Sequence, residues 1–222
     1  DHAAQTVYDF VWNEYCDWYL ELSKPVLWDD NGAHETQQGT LRTLLEVLET
    51  ILRLMHPLTP FITEEIWQTV APLAGKSGPT IMLQPYPVAD DSAVDSAANA
   101  DIEWLKGVIV GVRNIRGEMN IPPGKELTVL MKNGGEEDQR RLTQNAPFLR
   151  KLAKLDEVTW LDTTEEAPVA ATALVGELEI LVPMADLIDT EAELARLAKE
   201  TEKLEKDLKR LQGKLGNSSF ID

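Results

Sequence analysis

The sequence predicts a mainly α chain: an antiparallel helical bundle, then a small α+β subdomain, then a long coiled-coil helix. Three observations carry this. Apolar residues recur at helical spacing through residues 3–120, as packed amphipathic helices require. After Ile121-Pro122-Pro123-Gly124 the period changes to the two-residue alternation of strands,. From Leu187 to Leu215, leucine and threonine recur at alternating steps of three and four without a slip, the seam of a coiled coil. The predicted domains are therefore 1–124, 125–185 and 186–222.

Residues 3–23 set Val7, Tyr8, Val11, Trp12, Tyr15, Trp18, Tyr19 and Leu22 on the stripe of a buried amphipathic helix,. Pro25 is expected to stop it. Trp28 to Gly39, rich in Asp, Asn and Gly, reads as a connection,. A second helix covers 40–55, with Leu41, Leu44, Leu45, Leu48, Ile51, Leu52 and Met55 inward, and His56-Pro57 closes it. A third, Thr63 to Val70, carries Ile66, Trp67 and Val70 and is entered through Pro60. The turn-rich stretch from Pro72 to Asp91 is expected to pack through Ile81, Met82, Leu83 and Tyr86. A fourth helix runs from about Val94 to Asn120,.

Beyond it, Leu127, Val129 and Met131 alternate as a strand before Asn133-Gly134-Gly135. Glu136 to Lys154 is a helix, interrupted or restarted near Pro147, and Val158 to Leu161 is a short strand. Val169–Leu174 and Leu178–Val182 form a hairpin around Val175-Gly176-Glu177. The seam of the final helix needs a partner helix, and Asn217 to Asp222 reads as the start of a loop. With Asp1 in place of an initiator Met and no signal-peptide pattern, the chain is expected to be a piece of a longer protein,.

The net charge of −17 argues against a polyanionic partner,. Its distribution argues otherwise. Residues 1–103 carry 4 basic and 17 acidic groups, and 155–188 carry 8 acidic and none basic. Residues 104–154 carry 10 basic against 5 acidic, a cationic island that screening isolates over roughly 8 Å,. No apolar run approaches the ~18 residues of a membrane span,. A single cysteine, Cys16, excludes an internal disulfide and a multi-cysteine zinc site, and fits a buried thiol in a reducing compartment,.

No catalytic constellation is present. His2, His34 and His56 lack metal-ligand spacing,. Gly75-Lys76-Ser77 lacks the first glycine of a phosphate loop, since Val70 stands there,. The island holds instead Arg113-Asn114-Ile115-Arg116 and Asn120, with the two arginines three apart on a helix,. Forked guanidiniums and amides suit phosphates and exposed base edges. The same arginines could instead tie the bundle through acids such as Asp17 and Glu21. If Arg116 faces RNA, its removal weakens binding and leaves the melting temperature nearly unchanged. In the tail, Lys199, Lys203, Lys206, Arg210 and Lys214 form a second basic stripe. That stripe is either a phosphate-binding face or a solvated flank of pairs such as Glu202–Lys206 and Glu205–Lys209.

At these residues the chain resembles the C-terminal part of a bacterial valyl-tRNA synthetase, a class I enzyme. The resemblance rests on Trp12-Asn13-Glu14-Tyr15-Cys16-Asp17-Trp18-Tyr19-Leu20-Glu21-Leu22, on Met55 to Trp67 with its H-P-x-x-P-F-x-x-E-x-x-W element, on Val112 to Pro123, and on the heptad tail. It covers essentially the whole chain. The H-P-x-x-P-F element is shared with isoleucyl and leucyl relatives; an isoleucyl enzyme would bring a cysteine-rich zinc end.

The resemblance implies an anticodon-binding bundle of class I type, a connecting subdomain, and the first helix of a coiled-coil arm lying along tRNA. It implies tRNA(Val) and the rest of the synthetase chain as partners, and a cytoplasmic location. The contact residues it implies are Arg113, Asn114, Arg116, Asn120 and Lys125 near the anticodon, and Lys199, Lys203, Lys206, Arg210 and Lys214 on the arm. The parent valine–tRNA ligase uses ATP and Mg; the motifs H-I-G-H and K-M-S-K-S are absent here, so these residues alone are expected to be inactive and to need no cofactor. The alternative is a protein-interaction module that self-associates through the unpaired seam.

Overall fold

A computed structural model describes residues 2–162, 164–184 and 190–215, the side chains of the last helix at 198–212 only. The helices are α1 (His2–Asp9), a π-helical continuation (Phe10–Leu20), α2 (Glu21–Leu27), α3 (His34–Met55), α4 (Pro60–Leu73), α5 (Ser96–Glu118), α6 (Glu136–Leu152) and α7 (Thr190–Leu215). The strands are β1 (Leu127–Lys132), β2 (Leu155–Trp160), β3 (Ala170–Val175) and β4 (Leu178–Pro183). Among the described residues no helix is long and apolar enough to cross a membrane.

Two compact units result, and they do not follow the boundaries read from the sequence. The first joins Asp1–Ile109 with Glu136–Leu155; the second joins Val110–Gly135 with the described part of Asp156–Asp222. Helix α6, expected in the connecting subdomain, thus groups with the first helices. The last turns of α5 group with the sheet.

In the first unit, Leu52, Trp67, Val70, Ala71 and Ile81 form a core between α3 and α4, flanked by Leu45 and Leu48. At its centre the Glu49 carboxylate is fully buried. It accepts from Trp67 Nε1 at 2.9 Å and from Arg53 through Nε and Nη2 at 2.9 and 2.8 Å. Arg53 Nη1 goes on to the Pro85 carbonyl at 2.8 Å. A carboxylate in a low-dielectric interior is tolerable only when paired and hydrogen-bonded in this way. Pro60 enters α4 at its first turn, where its missing N–H costs nothing,. His56 Nδ1 meets Thr63 Oγ1 at 2.8 Å, and Glu64 holds Thr80 and the Ile81 amide. The Gln68 hydrogen bond first, then those of Thr80 and the Ile81 amide, keep the Glu64 carboxyl below its ordinary range. The H-P-x-x-P-F-x-x-E-x-x-W element is therefore a structural corner. On the other side, Arg140 and Arg141 of α6 grip Asp101 of α5 at 2.8 Å each, and Trp104 Nε1 donates to Asp138 at 2.7 Å.

Several sequence expectations change. The stripe of residues 3–23 is only partly buried: Leu22 is in the core, Val7, Val11, Tyr15, Trp18 and Tyr19 are half-buried, and Tyr8 and Trp12 are 58% and 57% exposed. Tyr15 still donates to the Leu44 carbonyl at 3.0 Å, and burial raises its hydroxyl pKa. The helix runs past Pro25 to Leu27, closed by the Trp28 amide on Lys24. Helix α3 begins at His34, because Gln37 Nε2 bonds the Asp29 and Val26 carbonyls and ties the polar loop to its first turn. Ile81 is buried, but Met82, Leu83 and Tyr86 are exposed. Helix α6 passes through Pro147 without interruption.

In the second unit the strand order is β2-β1-β4-β3. β1 and β4 are antiparallel with Met131 opposite Ile180, and β3–β4 is a hairpin closed at Val175–Leu178. Gly176 supplies the positive φ of 61° that this two-residue turn needs,. Leu127, Val129 and Met131 are buried as their alternation predicts. The α5 backbone lies close on this sheet at Gly111, where a Cβ would stand 3.1 Å from that of Ala173.

Replacing Arg53 by Met should leave Glu49 buried without its cation. We expect a loss of about 3 kcal/mol in urea unfolding, against a much smaller loss for the exposed Arg42→Met.

Candidate nucleic-acid interface

The island's motif lies on the last two turns of α5 and the loop that follows, all within the second unit. Val112 and Ile115 are buried, while Arg113 and Asn114 are exposed. Residues three apart on a helix differ by about 60° around its axis. Here that angle separates the two arginines: Arg113 stands in solvent and Arg116 is buried. Arg116 Nη1 donates to the Lys125 carbonyl at 2.7 Å and lies 3.5 Å from the Pro122 carbonyl. Desolvation pulls its pKa below the ordinary guanidinium value. Arg116, expected on a contact surface, is buried, with its Nη1 facing loop carbonyls.

Asn120 has φ of 52°, the left-handed conformation. Its amide bonds the Gly117 carbonyl at 3.3 Å, and the Ile121 amide bonds the Arg116 carbonyl at 2.9 Å. Those two bonds, with Ile121 buried beneath them, are a Schellman termination with Asn in the position glycine usually takes,. The Lys125 amide then closes a turn on the Pro122 carbonyl at 3.1 Å. Pro122, Pro123 and Gly124 are exposed, and Lys125 is half-buried. The structure brings Arg113, Asn114, Asn120 and Lys125 onto one helix end and its loop, with Arg116 beneath.

Much of the island's charge is engaged elsewhere. Lys106 pairs with Glu14 and Glu103, and Arg140 and Arg141 pair with Asp101. The two arginines hold the Asp101 carboxyl below its usual range, and the pairing raises Arg140. Lys132 Nζ donates to the Glu165 carbonyl. In the first unit, Arg150, Lys151 and Lys154 stand exposed at the end of α6. The spacing Arg150-Lys151-x-x-Lys154 signals this cationic cluster in the sequence, a signal not weighed among the candidate contact residues. The first unit also exposes a parallel aromatic pair, Tyr8 and Trp12, with ring centres 6.3 Å apart.

On α7, Lys199, Lys203, Lys206 and Arg210 are exposed. Lys206 pairs with Glu202 at 2.6 Å and Arg210 with Asp207 at 3.3 Å. The side chain of Lys214 lies outside the described residues, as do Leu187 and the segment from Asn217 to Asp222. Leu204, Leu208 and Leu211 are more than half exposed.

Two family models match the sequence. One, the anticodon-binding domain of tRNA ligase, matches residues 1–131; the other, the valyl tRNA synthetase tRNA binding arm, matches residues 189–222.

For Asn120 the cap geometry fixes the outcome of substitution. Asn120→Gly should leave the melting temperature unchanged or slightly raised, whereas Asn120→Val should cost about 1 kcal/mol by forcing a β-branched residue into the left-handed region. Thermal unfolding of the two variants checks this.

Proposed function

The chain belongs to the tRNA ligases that carry this anticodon-binding domain, and on that premise we propose that it holds a valine-accepting tRNA for aminoacylation elsewhere in the same ligase. The chain is a tRNA-binding region; one observation carries the assignment, the occurrence in one sequence of an anticodon-binding domain and a valyl-type arm. The parent is read as a cytoplasmic, bacterial valine–tRNA ligase. Its ATP and Mg serve a catalytic domain whose signature motifs are not among these residues, and no step of that chemistry is assigned to them.

In this reading, the helices of the first unit are an antiparallel bundle, and α7 is the first strand of a coiled coil. The exposed Arg113 offers a forked guanidinium to phosphate or to an unstacked base, and Asn114 an amide to a base edge,. Lys125 adds a point charge at the rim of the loop. Tyr8 and Trp12, on the first unit, offer ring planes on which an unstacked base can rest,. Lys199, Lys203, Lys206 and Arg210 grip phosphates along the arm, adding affinity without reading sequence. Lys214 continues the same stripe by its spacing.

The test is a binding titration with a transcribed valine tRNA over a salt series, beside the same transcript with a changed anticodon. We expect affinity to fall steeply with salt, and the changed anticodon to bind roughly tenfold more weakly. Arg113→Ala should weaken binding roughly tenfold and reduce the salt slope by about one. Affinity indifferent to both salt and anticodon would overturn the reading in favour of an interaction module.

The exposed leucines of α7 carry a further expectation. Sedimentation should show concentration-dependent self-association of the 222-residue chain, abolished by Leu204→Lys with Leu208→Lys. A strict monomer at high concentration would contradict it.

A further inference from the structure

We propose that Arg116 is a positioning residue for RNA binding: it makes no contact with the nucleic acid but fixes the Asn120–Lys125 loop on which the contact residues stand. This rests on the reading that the end of α5 faces tRNA.

Residue 116 holds that loop at both ends. Its carbonyl accepts from the amide of Ile121, where the loop begins, at 2.9 Å. Its guanidinium donates to the carbonyl of Lys125, where the loop ends, at 2.7 Å. The same nitrogen lies 3.5 Å from the Pro122 carbonyl, which also accepts the Lys125 amide at 3.1 Å. The turn Pro122–Lys125 is thereby closed over one buried cation.

The side chain's chemistry suits this task. A guanidinium nitrogen carries two N–H groups in a fixed plane and can serve two acceptors, whereas an ammonium is a freely rotating point charge on a shorter reach. The loop above it is stiffened by Pro122 and Pro123, both exposed, and anchored at its start by the buried Ile121. With the Lys125 carbonyl pinned, the start of that side chain is fixed relative to Arg113 on the same helix end. Binding then requires less ordering of the loop, which is the benefit of preorganisation.

The consequence separates Arg116 from a phosphate contact. A lysine or arginine that neutralises a phosphate contributes about one to the salt slope. A residue that acts through the loop lowers affinity without changing that slope. The experiment measures binding of the transcribed valine tRNA to the parent chain, Arg116→Met, Arg116→Lys and Arg113→Ala over the same salt series, with melting temperatures for each. Arg116→Met keeps the bulk and loses the donors. We expect about tenfold weaker binding with an unchanged slope, Arg116→Lys lying between it and the parent, while Arg113→Ala reduces the slope.

A slope reduced by about one in Arg116→Met would overturn the assignment by making Arg116 a direct contact. Parent-like affinity of the folded variant would overturn it by making the role one of stability alone. Should Arg116→Met fail to fold, Pro122→Gly with Pro123→Gly decides: it loosens the same loop without touching the guanidinium. Weakened binding with an unchanged slope supports the assignment, and parent-like affinity overturns it. Failure of the parent itself to bind overturns the tRNA reading and this inference together, whereas loss in Arg113→Ala alone overturns only the inference.

Discussion

A charge removed from water must be answered by the protein, and that requirement organises both units. Among the described residues the buried charged side chains are Glu49 in the first unit and Arg116 in the second. Glu49 draws an arginine from its own helix and an indole from α4, and the arginine in turn fixes the backbone at Pro85. Three segments far apart in sequence are therefore set by one carboxylate. An apolar side chain there would pack without specifying which tryptophan or carbonyl it faced. Arg116 does for the end of α5 what Glu49 does for α3 and α4, with carbonyls in place of an indole.

The same electrostatics qualify what a net charge by segment means. Residues 104–154 are cationic on paper, yet Lys106, Arg140 and Arg141 answer acids of the first unit and Arg116 answers loop carbonyls. These cations hold the protein together. The exposed cations are Arg113 at the end of α5 and Arg150, Lys151 and Lys154 at the end of α6. A surface with few exposed cations gains modest affinity from counterion release. On the proposed tRNA reading, discrimination at the end of α5 rests on the shape of the loop and on the amides of Asn114 and Asn120.

The sequence made helices α3 to α5 and the β3–β4 hairpin legible because their signals are local: apolar spacing, Pro60 at a first turn, Gly176 in a two-residue turn. The alternation in β1 was equally plain, since each buried residue is two from the next. What stayed hidden depends on hydrogen-bond register or on distant partners. Nothing in the apolar spacing of residues 10–20 announces a π-helix. Helical spacing placed Arg113 and Arg116 on one face, and the boundary of burial runs between them. Asn120 read as an amide for a base, although Asn before Ile-Pro-Pro is also the signature of a helix stop,. The grouping of α6 with the first helices depends on Asp101 and Asp138, whose partners lie more than thirty residues away.

In α7, seam and stripe need not compete. Lys199, Lys203, Lys206 and Arg210 each stand two residues beyond a seam position. Two residues turn an α-helix by about 200°, so the stripe lies nearly opposite the leucines. A partner helix that covers Leu204, Leu208 and Leu211 leaves the lysines facing outward. The pairs Lys206–Glu202 and Arg210–Asp207 do not remove them from use, since ion pairs this exposed contribute little and exchange readily for a phosphate,. On the proposed tRNA reading, pairing aids RNA contact: it holds the helix, and so sets four cations at fixed intervals along one face.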